Sequence, residues 1–376
     1  MNALERIACV YRVEARADAI EARAQALALE QSVELPLAAI GDAGIRERVA
    51  GRVEAIEPAP DEAGAWSVTI GLAASTTGAE PGQILNMLFG NASLQPEVTL
   101  VDARLPASLL AALPGPAFGV EGLRKLAGAG QRPLSCTALK PQGLAPEALA
   151  ALAHTFAAAG IDLIKDDHGI ADQASAPFAR RVPAIQRAVQ RANAATGGTS
   201  VYAPSLSGGP ASLAAQLRIA RDEGVRCVLA CPMLLGVATF AELVRGSGEV
   251  AIVAHPALAG AARIAPALLL GRLFRLFGAD ATIFPNFGGR FSYSRVTCQQ
   301  IVRAAREPLG THLPAMPVPA GGMSVERVDE MVAEFGHDLM LLIGGNLLEA
   351  GAAMPQRARA FAEKVRQQRA TEMQQR

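Results

Sequence analysis

The chain alternates short apolar runs with longer amphipathic stretches from about residue 130 onward. The apolar runs have the length of buried parallel strands, and the stretches between them, rich in Ala, Leu and Arg, have the spacing of helices. Eight such runs occupy residues 132–140, 161–167, 199–206, 226–234, 250–257, 281–287, 315–322 and 339–345. Eight successive strand–helix units predict an α/β fold of the TIM (β/α)8 barrel type.

The N-terminal part of the chain lacks this alternation. It mixes strand-like runs such as RIACVYRVEA with amphipathic helical stretches near residues 16–30 and 80–90. These features predict a ferredoxin-like α+β domain over residues 1–113, followed by a barrel domain with C-terminal helices over residues 114–376. The segment LPGPAFGV, which holds two prolines and two glycines, is the predicted link between them.

The balance of charge argues against a polyanionic partner. The 35 Lys and Arg residues equal the 35 Asp and Glu residues in number, so no net charge attracts the chain to nucleic acid or to an anionic membrane. The apolar runs are interrupted before they reach the roughly 18 to 20 residues of a membrane span. Five cysteines without paired spacing favour a reducing, cytoplasmic location. Cys227 and Cys231 are expected to pack in the core rather than to bind metal.

The predicted strand ends carry most of the candidate chemistry. The second run ends in DLIKDDHGI, where a strand would point Lys165 and Asp167 to one side and Asp166 and His168 to the other. A lysine ends the first run, a histidine lies at the end of the fifth, and glycine pairs end the seventh and eighth. Because TIM barrels place catalytic groups at the C-terminal ends of their strands, we expect these residues to meet at one rim.

The order of several motifs resembles that of a known enzyme family. A small α+β domain precedes a barrel whose strand ends read TALKPQGL, GIDLIKDDH, VAHPAL, GGRFS, AGGM and LIGGN, in that order. This series is similar to that of the large subunit of ribulose bisphosphate carboxylase (RuBisCO) and of its non-carboxylating relatives, the RuBisCO-like proteins. The resemblance extends through most of the chain and implies an enzyme that forms a metal-stabilised enediolate from a small phosphorylated keto compound.

The resemblance implies a metal centre at the end of the second strand. Lys165 matches the lysine that adds carbon dioxide to form a carbamate, and Asp167 matches a carboxylate that holds Mg²⁺ with it. His168 stands where the carboxylase has a glutamate, and an imidazole there weakens the preference for Mg²⁺ and lets Mn²⁺ or another divalent metal compete. The alternative interpretation of these side chains is a structural hydrogen-bond cluster.

Three further side chains take catalytic roles by the same resemblance. Lys140 matches a lysine that transfers protons beside the enediolate, although Gln142 replaces the second lysine of that motif. His255 matches a rim histidine of the family that contacts the ligand. Arg290 replaces the lysine of a mobile loop, and its planar fork suits a carboxylate or a phosphate. Structural roles at the rim remain the alternative for Lys140 and His255.

Substitutions relative to the carboxylase indicate a substrate with a single phosphate. Pro256, the Phe284–Pro285 pair and Ala320 stand where the carboxylase holds a second phosphate. Backbone N–H groups beside glycines suit the remaining phosphate, though turn formation would also explain these glycines. The glycines concerned are Gly321, Gly322, Gly344 and Gly345.

The resemblance also implies contact between subunits. Glu30 matches a glutamate of the small domain that reaches the active site of the neighbouring subunit, while Gln83 replaces an asparagine there. A shared site would require a homodimer or an assembly of dimers. The alternative for Glu30 is a solvated glutamate at a helix end.

Three functions fit these features, none of which is carboxylation of ribulose bisphosphate. We favour decarboxylation of, or carboxyl transfer from, a 3-oxo-isoapionate-4-phosphate-like substrate, because loss of carbon dioxide from a β-keto acid forms the enediolate directly and Arg290 would orient the carboxylate. The second is an enolase or isomerase of methionine salvage, acting on diketo-methylthiopentyl phosphate or methylthioribulose phosphate. Its apolar pocket would come from Phe284, Phe287 and Phe291. The third is a catalytically dead scaffold that binds a sugar phosphate.

Overall fold

The computed structural model describes residues 5–60, 62–291 and 293–368, and the chain divides into two compact units. The first unit comprises the chain up to Pro114 together with Leu258–Leu269 and Leu309–Thr311. The second comprises Gly115–Ala257, Leu270–Pro308 and the chain from His312 onward. Within the described residues, no helix is both long and apolar enough to cross a membrane.

A four-stranded antiparallel sheet forms the centre of the first unit. Its strands are β1 (Arg6–Glu14), β2 (Arg52–Pro58), β3 (Ala65–Ala73) and β4 (Val98–Arg104). The spatial order is β2-β3-β1-β4, and the helices Ile20–Glu30 and Pro81–Phe89 follow β1 and β3. This βαββαβ arrangement confirms the predicted ferredoxin-like fold.

Alternation along β1 explains why one face of this sheet is buried. Ile7, Cys9, Tyr11 and Val13 are buried, whereas the residues between them are partly exposed. The Tyr11 hydroxyl donates a hydrogen bond of 2.6 Å to the carbonyl oxygen of Leu88, so the buried face packs against the helix Pro81–Phe89. Shorter helical segments of this unit span Leu37–Ala39, Ala43–Arg48, Ala74–Thr77, Asn91–Leu94, Ala107–Ala112 and Ala259–Ala261.

The segment Leu258–Leu269 belongs to the first unit, although the sequence assigns it to the barrel domain. Ile264 forms an isolated parallel bridge with Leu100 of β4. The Arg263 guanidinium donates to the carbonyl oxygens of Val98, at 3.2 Å, and Gln95, at 3.0 Å. These bonds join residues that are far apart in sequence, so no local pattern reveals them. A single domain boundary placed along the chain therefore could not assign Leu258–Leu269 to the first unit.

The second unit is built on an eight-stranded parallel sheet. Each strand lies inside its predicted run and all eight are shorter than predicted, which confirms the barrel. The strands are β5 (Leu134–Leu139), β6 (Leu163–Asp166), β7 (Val201–Ala203), β8 (Cys227–Ala230), β9 (Ala251–Ala254), β10 (Ala281–Pro285), β11 (Met316–Ala320) and β12 (Met340–Leu342).

Closure of the barrel depends on the pair β7 and β8. The sheet order runs β7-β6-β5-β12-β11-β10-β9-β8, so these two strands are its ends. Ser205 forms a parallel bridge with Leu229, supported by bonds from Leu229 N to Pro204 O, at 2.8 Å, and from Leu206 N to Leu229 O, at 2.9 Å. The sheet therefore closes on itself just beyond the end of β7.

Helices follow the barrel strands in sequence. The longest connects β6 to β7 and spans Phe178–Thr196. The remaining α-helices are Gly119–Leu126, Pro146–Ala158, Pro210–Asp222, Pro232–Leu235, Val237–Ser247, Phe274–Leu276, Arg295–Arg306, Val328–Phe335, Gly345–Leu348 and Met354–Gln367. Single-turn segments span Val325–Arg327 and Gly351–Ala353, and a π-helical segment spans Ala267–Leu273.

The barrel interior is a packed apolar core that positions the candidate site above it. Alternate strand residues point inward, among them Cys136, Leu163, Leu229 and Val253, and all are buried. The next residue of the same face on each strand lies at the C-terminal rim. The rim residues so placed include Lys165, Asp167, Cys231, His255, Pro285, Ala320 and Gly344.

Candidate active site

Lys165 continues the inward face of β6 and is almost fully buried, with 3% of its surface exposed. Its Nζ donates to the main-chain oxygen of Asp166 at 3.0 Å. Burial lowers the pKa of Lys165, because removing an ammonium group from water disfavours its charged form. The site therefore favours the neutral amine, which is the form that reacts with electrophiles such as carbon dioxide.

Asp167 also faces inward and links β6 to β5. Lys140 Nζ lies 2.8 Å from its Oδ2, and the backbone N–H of Gly169 donates to Oδ1 at 3.1 Å. Burial alone would raise the pKa of Asp167, but the bonds from Lys140 and Gly169 outweigh burial and lower it. Asp167 is therefore a carboxylate at neutral pH, held between a lysine and a turn.

Two histidines stack at the rim. The ring centroids of His168 and His255 are 4.1 Å apart and their planes differ by 11°. His168 Nδ1 lies 3.3 Å from Asp167 Oδ1. His255 Nδ1 accepts a bond of 3.1 Å from the N–H of Ala257, so its hydrogen resides on Nε2. Burial lowers the pKa of both rings, that of His255 to about 2, so two neutral rings stack.

The strict alternation expected along DLIKDDHGI is wrong for His168. Strand β6 ends at Asp166, and a turn closed by the bond from Ile170 N to Asp167 O, at 2.9 Å, follows at once. The turn brings His168 back beside the inward-facing His255. Asp166 points outward as predicted, where it forms a buried ion pair with Arg181.

The loop after β10 carries Arg290 and Phe291, both exposed. The Arg290 guanidinium lies over the Phe291 ring, 5.1 Å from its centroid. Burial is the main cause of the lowered pKa of His168, and the positive charges of Lys165 and Lys140 lower it further. The charge of Arg290 makes the smallest contribution in the same direction, so Arg290 acts on the same cluster. This loop follows β10 at the rim that holds the lysines and histidines.

The predicted aromatic pocket is wrong for two of its three members. Phe284 and Phe287 are buried and pack edge-on against Phe335, with ring centroids 6.3 and 6.0 Å away. Phe284 lies outside the barrel wall because its strand neighbours Ile283 and Pro285 face inward. Phe291 alone of the three is exposed and available to a ligand.

The glycines after β11 have a packing role of their own. Gly321 and Gly322 have backbone φ angles of +80° and +65°, which residues other than glycine rarely adopt. A Cβ at Gly322 would lie 2.3 Å from the Cα of Gly289, so the loop after β10 needs a glycine there. After β12, Gly344 lies beside Lys140 and precedes the four-residue helix that begins at Gly345.

Comparison with known proteins identifies the family. Residues 119–282 match the family model of the ribulose bisphosphate carboxylase large chain, catalytic domain. Over 365 residues the chain is 53% identical to ribulose bisphosphate carboxylase-like protein 1 of Rhodopseudomonas palustris, with 97% of this chain and 99% of that protein covered. The chain belongs to the RuBisCO-like protein family.

Two further relatives of this RuBisCO-like protein bear on its fold and function. It is 50% identical over 362 residues to 5-methylthioribulose-1-phosphate isomerase of Rhodospirillum rubrum, with 96% of each chain covered. A crystal structure of a RuBisCO-like protein from Rhodopseudomonas palustris matches it with a TM-score of 0.91 and 50% identity, covering 98% of this chain and 99% of that one. The fold predicted from the sequence is thereby confirmed.

The side chains of this RuBisCO-like protein fit a metal only if Lys165 is modified. Among the described residues, no group of three His, Cys, Asp or Glu side chains is placed to hold a metal ion. Asp167 and His168 are adjacent at the rim and supply two donors. A carbamate on the buried, inward-facing Lys165 would supply the third, an oxygen of the kind that Mg²⁺ prefers.

One rim residue of this RuBisCO-like protein has no counterpart among the predicted site residues. Cys231 is buried and follows Cys227 and Leu229 on the inward face of β8. Burial raises the pKa of its thiol to about 11, in spite of the opposing charge of Lys165. It was expected to pack in the core, and it is buried and free, as are the other four cysteines. The alternation of β8 would have placed it at the rim.

Glu30 lies in the first unit, at the end of the helix Ile20–Glu30. Its Oε1 accepts a bond of 2.8 Å from Asn91 Nδ2, and its side chain is partly buried. The contact fixes the carboxylate within its own unit. The role of Glu30 in a neighbouring subunit stays a prediction.

Proposed function

We propose that this RuBisCO-like protein isomerises 5-methylthioribulose 1-phosphate, or a pentulose monophosphate very similar to it, through an enediolate. The observation that carries the proposal is the 50% identity, over 96% of both chains, to the Rhodospirillum rubrum isomerase. This reaction is one of the alternatives that the sequence left open. The carboxyl transfer favoured from the sequence finds no support in the relatives described above.

The proposed reaction needs a proton to leave one carbon beside the carbonyl and to return at another. Lys140 is our proposed acid–base group, since its ammonium already lies at the rim, 2.8 Å from Asp167. His255 would donate from Nε2–H to a substrate oxygen, because its Nδ1 is engaged by Ala257. Its low pKa keeps it a neutral donor, so the proposal assigns it no proton transfer.

A divalent metal, held by carbamylated Lys165, Asp167 and His168, would stabilise the negative charge of the enediolate when bound. The buried position and lowered pKa of Lys165 support the carbamate, because only the neutral amine adds carbon dioxide. Mg²⁺ is the proposed metal, with Mn²⁺ as a competitor favoured by the imidazole of His168.

We place the substrate phosphate at the backbone N–H groups that follow β11 and β12. The proposal is supported by four glycines at these strand ends, of which Gly322 and Gly345 are exposed and Gly321 and Gly344 are partly exposed. Arg290 would close over an anionic group of the substrate from the neighbouring loop. The positions of the second phosphate in the carboxylase hold Pro256 and the buried Phe284, neither of which binds an anion.

The proposal is tested by incubating the purified protein with 5-methylthioribulose 1-phosphate, Mg²⁺ and bicarbonate in D₂O. Phosphorus and proton NMR should show a new ketose phosphate that carries deuterium, and Lys165→Ala should show none. The same assay is run with the diketo-methylthiopentyl phosphate and with a 3-oxo sugar-acid phosphate. Turnover of the diketone alone would establish an enolase instead, and release of carbon dioxide from the acid would establish the decarboxylase.

A further inference from the structure

Behind the candidate site, a buried ion pair lies between the barrel wall and the helix Phe178–Thr196. Arg181 Nε donates to Asp166 Oδ2 at 3.1 Å, and neither side chain is exposed to solvent. Asp166 also accepts from the Tyr202 hydroxyl at 2.9 Å and from the N–H of Ser205 at 3.1 Å. Three donors from β7, its following turn and the helix therefore fix one carboxylate of β6.

The same guanidinium holds the loop of residues 167–177. Arg181 Nη1 donates to the carbonyl oxygens of Ala171, at 2.7 Å, and Ala176, at 2.6 Å. This loop begins with Asp167 and His168, the two unmodified donors of the proposed metal centre. A single side chain thus joins the end of β6 to the middle and the end of the loop.

The position of Asp166 controls the direction of its two neighbours. Lys165 and Asp167 flank it in sequence and face the barrel interior because Asp166 faces outward. Lys165 Nζ also donates to the main-chain oxygen of Asp166. Any rotation of the Asp166 main chain would turn the inward pair away from the rim.

We infer that Asp166 and Arg181 are positioning residues, which hold Lys165 and the loop 167–177 in the arrangement that the proposed carbamate and metal require. The effect of these two residues on the carbamate and the metal rests on the proposed function. The positioning itself is a property of the protein without metal or substrate, and it is measured separately. Neither residue is assigned any contact with the substrate.

The same strand supplies a matched control. Asp162 immediately precedes β6, and its carboxylate pairs with Arg132 at 2.7 and 2.8 Å. It also accepts from the N–H and the hydroxyl of Ser135. This ion pair is mostly buried, with 14% of the Arg132 side chain exposed, but it lies at the opposite end of the barrel and bonds no residue of the loop 167–177. Asp162→Asn therefore reports the effect of losing a buried ion pair alone.

The experiment compares Asp166→Asn, Arg181→Lys and the milder Tyr202→Phe with Asp162→Asn. Arg181→Lys keeps the charge, but one ammonium group cannot serve Asp166 and both loop carbonyls. Hydrogen exchange of the loop amides is followed at a fixed interval below the melting temperature of each protein. Carbamate on Lys165 is measured by carbon NMR with labelled bicarbonate.

We expect exchange of Gly169 and Ile170 to accelerate about tenfold or more in Asp166→Asn and Arg181→Lys, less in Tyr202→Phe, and not in Asp162→Asn. Carbamate occupancy should fall in the same order. Unchanged loop exchange in the first two variants, or equal acceleration in Asp162→Asn, would overturn the inference. If the unmutated protein forms no carbamate, the proposed metal centre fails, while the exchange data still decide the positioning role.

Discussion

The two ends of strand β6 carry buried charges in opposite circumstances. At the N-terminal end, Asp162 and Arg132 form two parallel hydrogen bonds, and Ser135 satisfies the carboxylate further. At the C-terminal end, Asp167 is the inward carboxylate beside both Lys140 and Lys165. Lys165 has only a main-chain acceptor among the described residues. At the N-terminal end, the carboxylate and the guanidinium are hydrogen-bonded to each other. At the C-terminal end, the amine of Lys165 is hydrogen-bonded to a main-chain oxygen and not to a carboxylate.

Along this one short strand, the groups at the N-terminal end serve stability, whereas those at the C-terminal end can serve a reaction. A closed ion pair stabilises the fold and offers nothing to a ligand. Burial of an amine without a carboxylate of its own lowers its pKa and so favours the form that can react with an electrophile. The rim therefore holds reactive groups at some cost in stability, as active sites commonly do. Substitutions at the two ends of the strand test this difference separately.

The largest effect is expected from Lys165→Met. This change keeps the volume of the side chain and removes the amine, so isomerase activity should fall by about 10³-fold or more. The melting temperature should stay the same or rise, because no charge is left to desolvate. Steady-state kinetics and thermal unfolding check the two halves. A variant that keeps a tenth of the activity would remove Lys165 from the mechanism.

A smaller loss is expected from Asp167→Asn. The amide keeps the shape but loses the charge that pairs with Lys140 and that would bind the metal. Activity should fall by about 10²-fold, with a higher requirement for added Mg²⁺, since one anionic ligand is lost. Titration of the rate with Mg²⁺ makes the measurement. A purely structural cluster at this rim would instead lower the melting temperature and leave the metal requirement unchanged.

At the other end of the strand, Asp162→Asn should act on stability alone. Arg132 would lose its counter-charge in a mostly buried position, which costs about 3 kcal/mol in the free energy of unfolding. Below its melting temperature the variant should keep activity within about threefold, because nothing at the rim has changed. Urea unfolding and kinetics on the same sample test both statements. A large loss of activity in the folded variant would contradict the separation of the two ends.

Sequence reasoning located the strands and most rim residues because both depend on local signals. Apolar runs of strand length mark β5 to β12, and a period of two places Lys165 and Asp167 inward. It failed for Phe284, whose direction is set by its inward neighbours, and for His168, which lies beyond the strand end. It did not foresee the partner of Asp166 either, because Arg181 lies on the following helix and meets it only in the folded barrel.

The smallest effect concerns how stability depends on pH. The pKa of Lys165 is lowered in the folded protein, so between that pKa and its unfolded value the unfolded chain binds a proton that the folded chain does not. Stability should therefore rise with pH through this window. Asp167 also affects how stability depends on pH, but at acidic pH. Its pKa is also lowered, so its stabilisation is complete above the unfolded carboxyl value and is lost as the pH falls through the folded value.

Urea unfolding from pH 7 to pH 10, without bicarbonate, separates the contribution of Lys165 from the rest. The difference in unfolding free energy between the unmutated protein and Lys165→Met should shrink as the pH rises, because deprotonation removes the cost that methionine avoids. Asp162→Asn should show a difference from the unmutated protein that does not change over this range, since this variant keeps Lys165. A constant difference for Lys165→Met would mean that Lys165 is not held in the neutral form, and the carbamate would lose its physical basis.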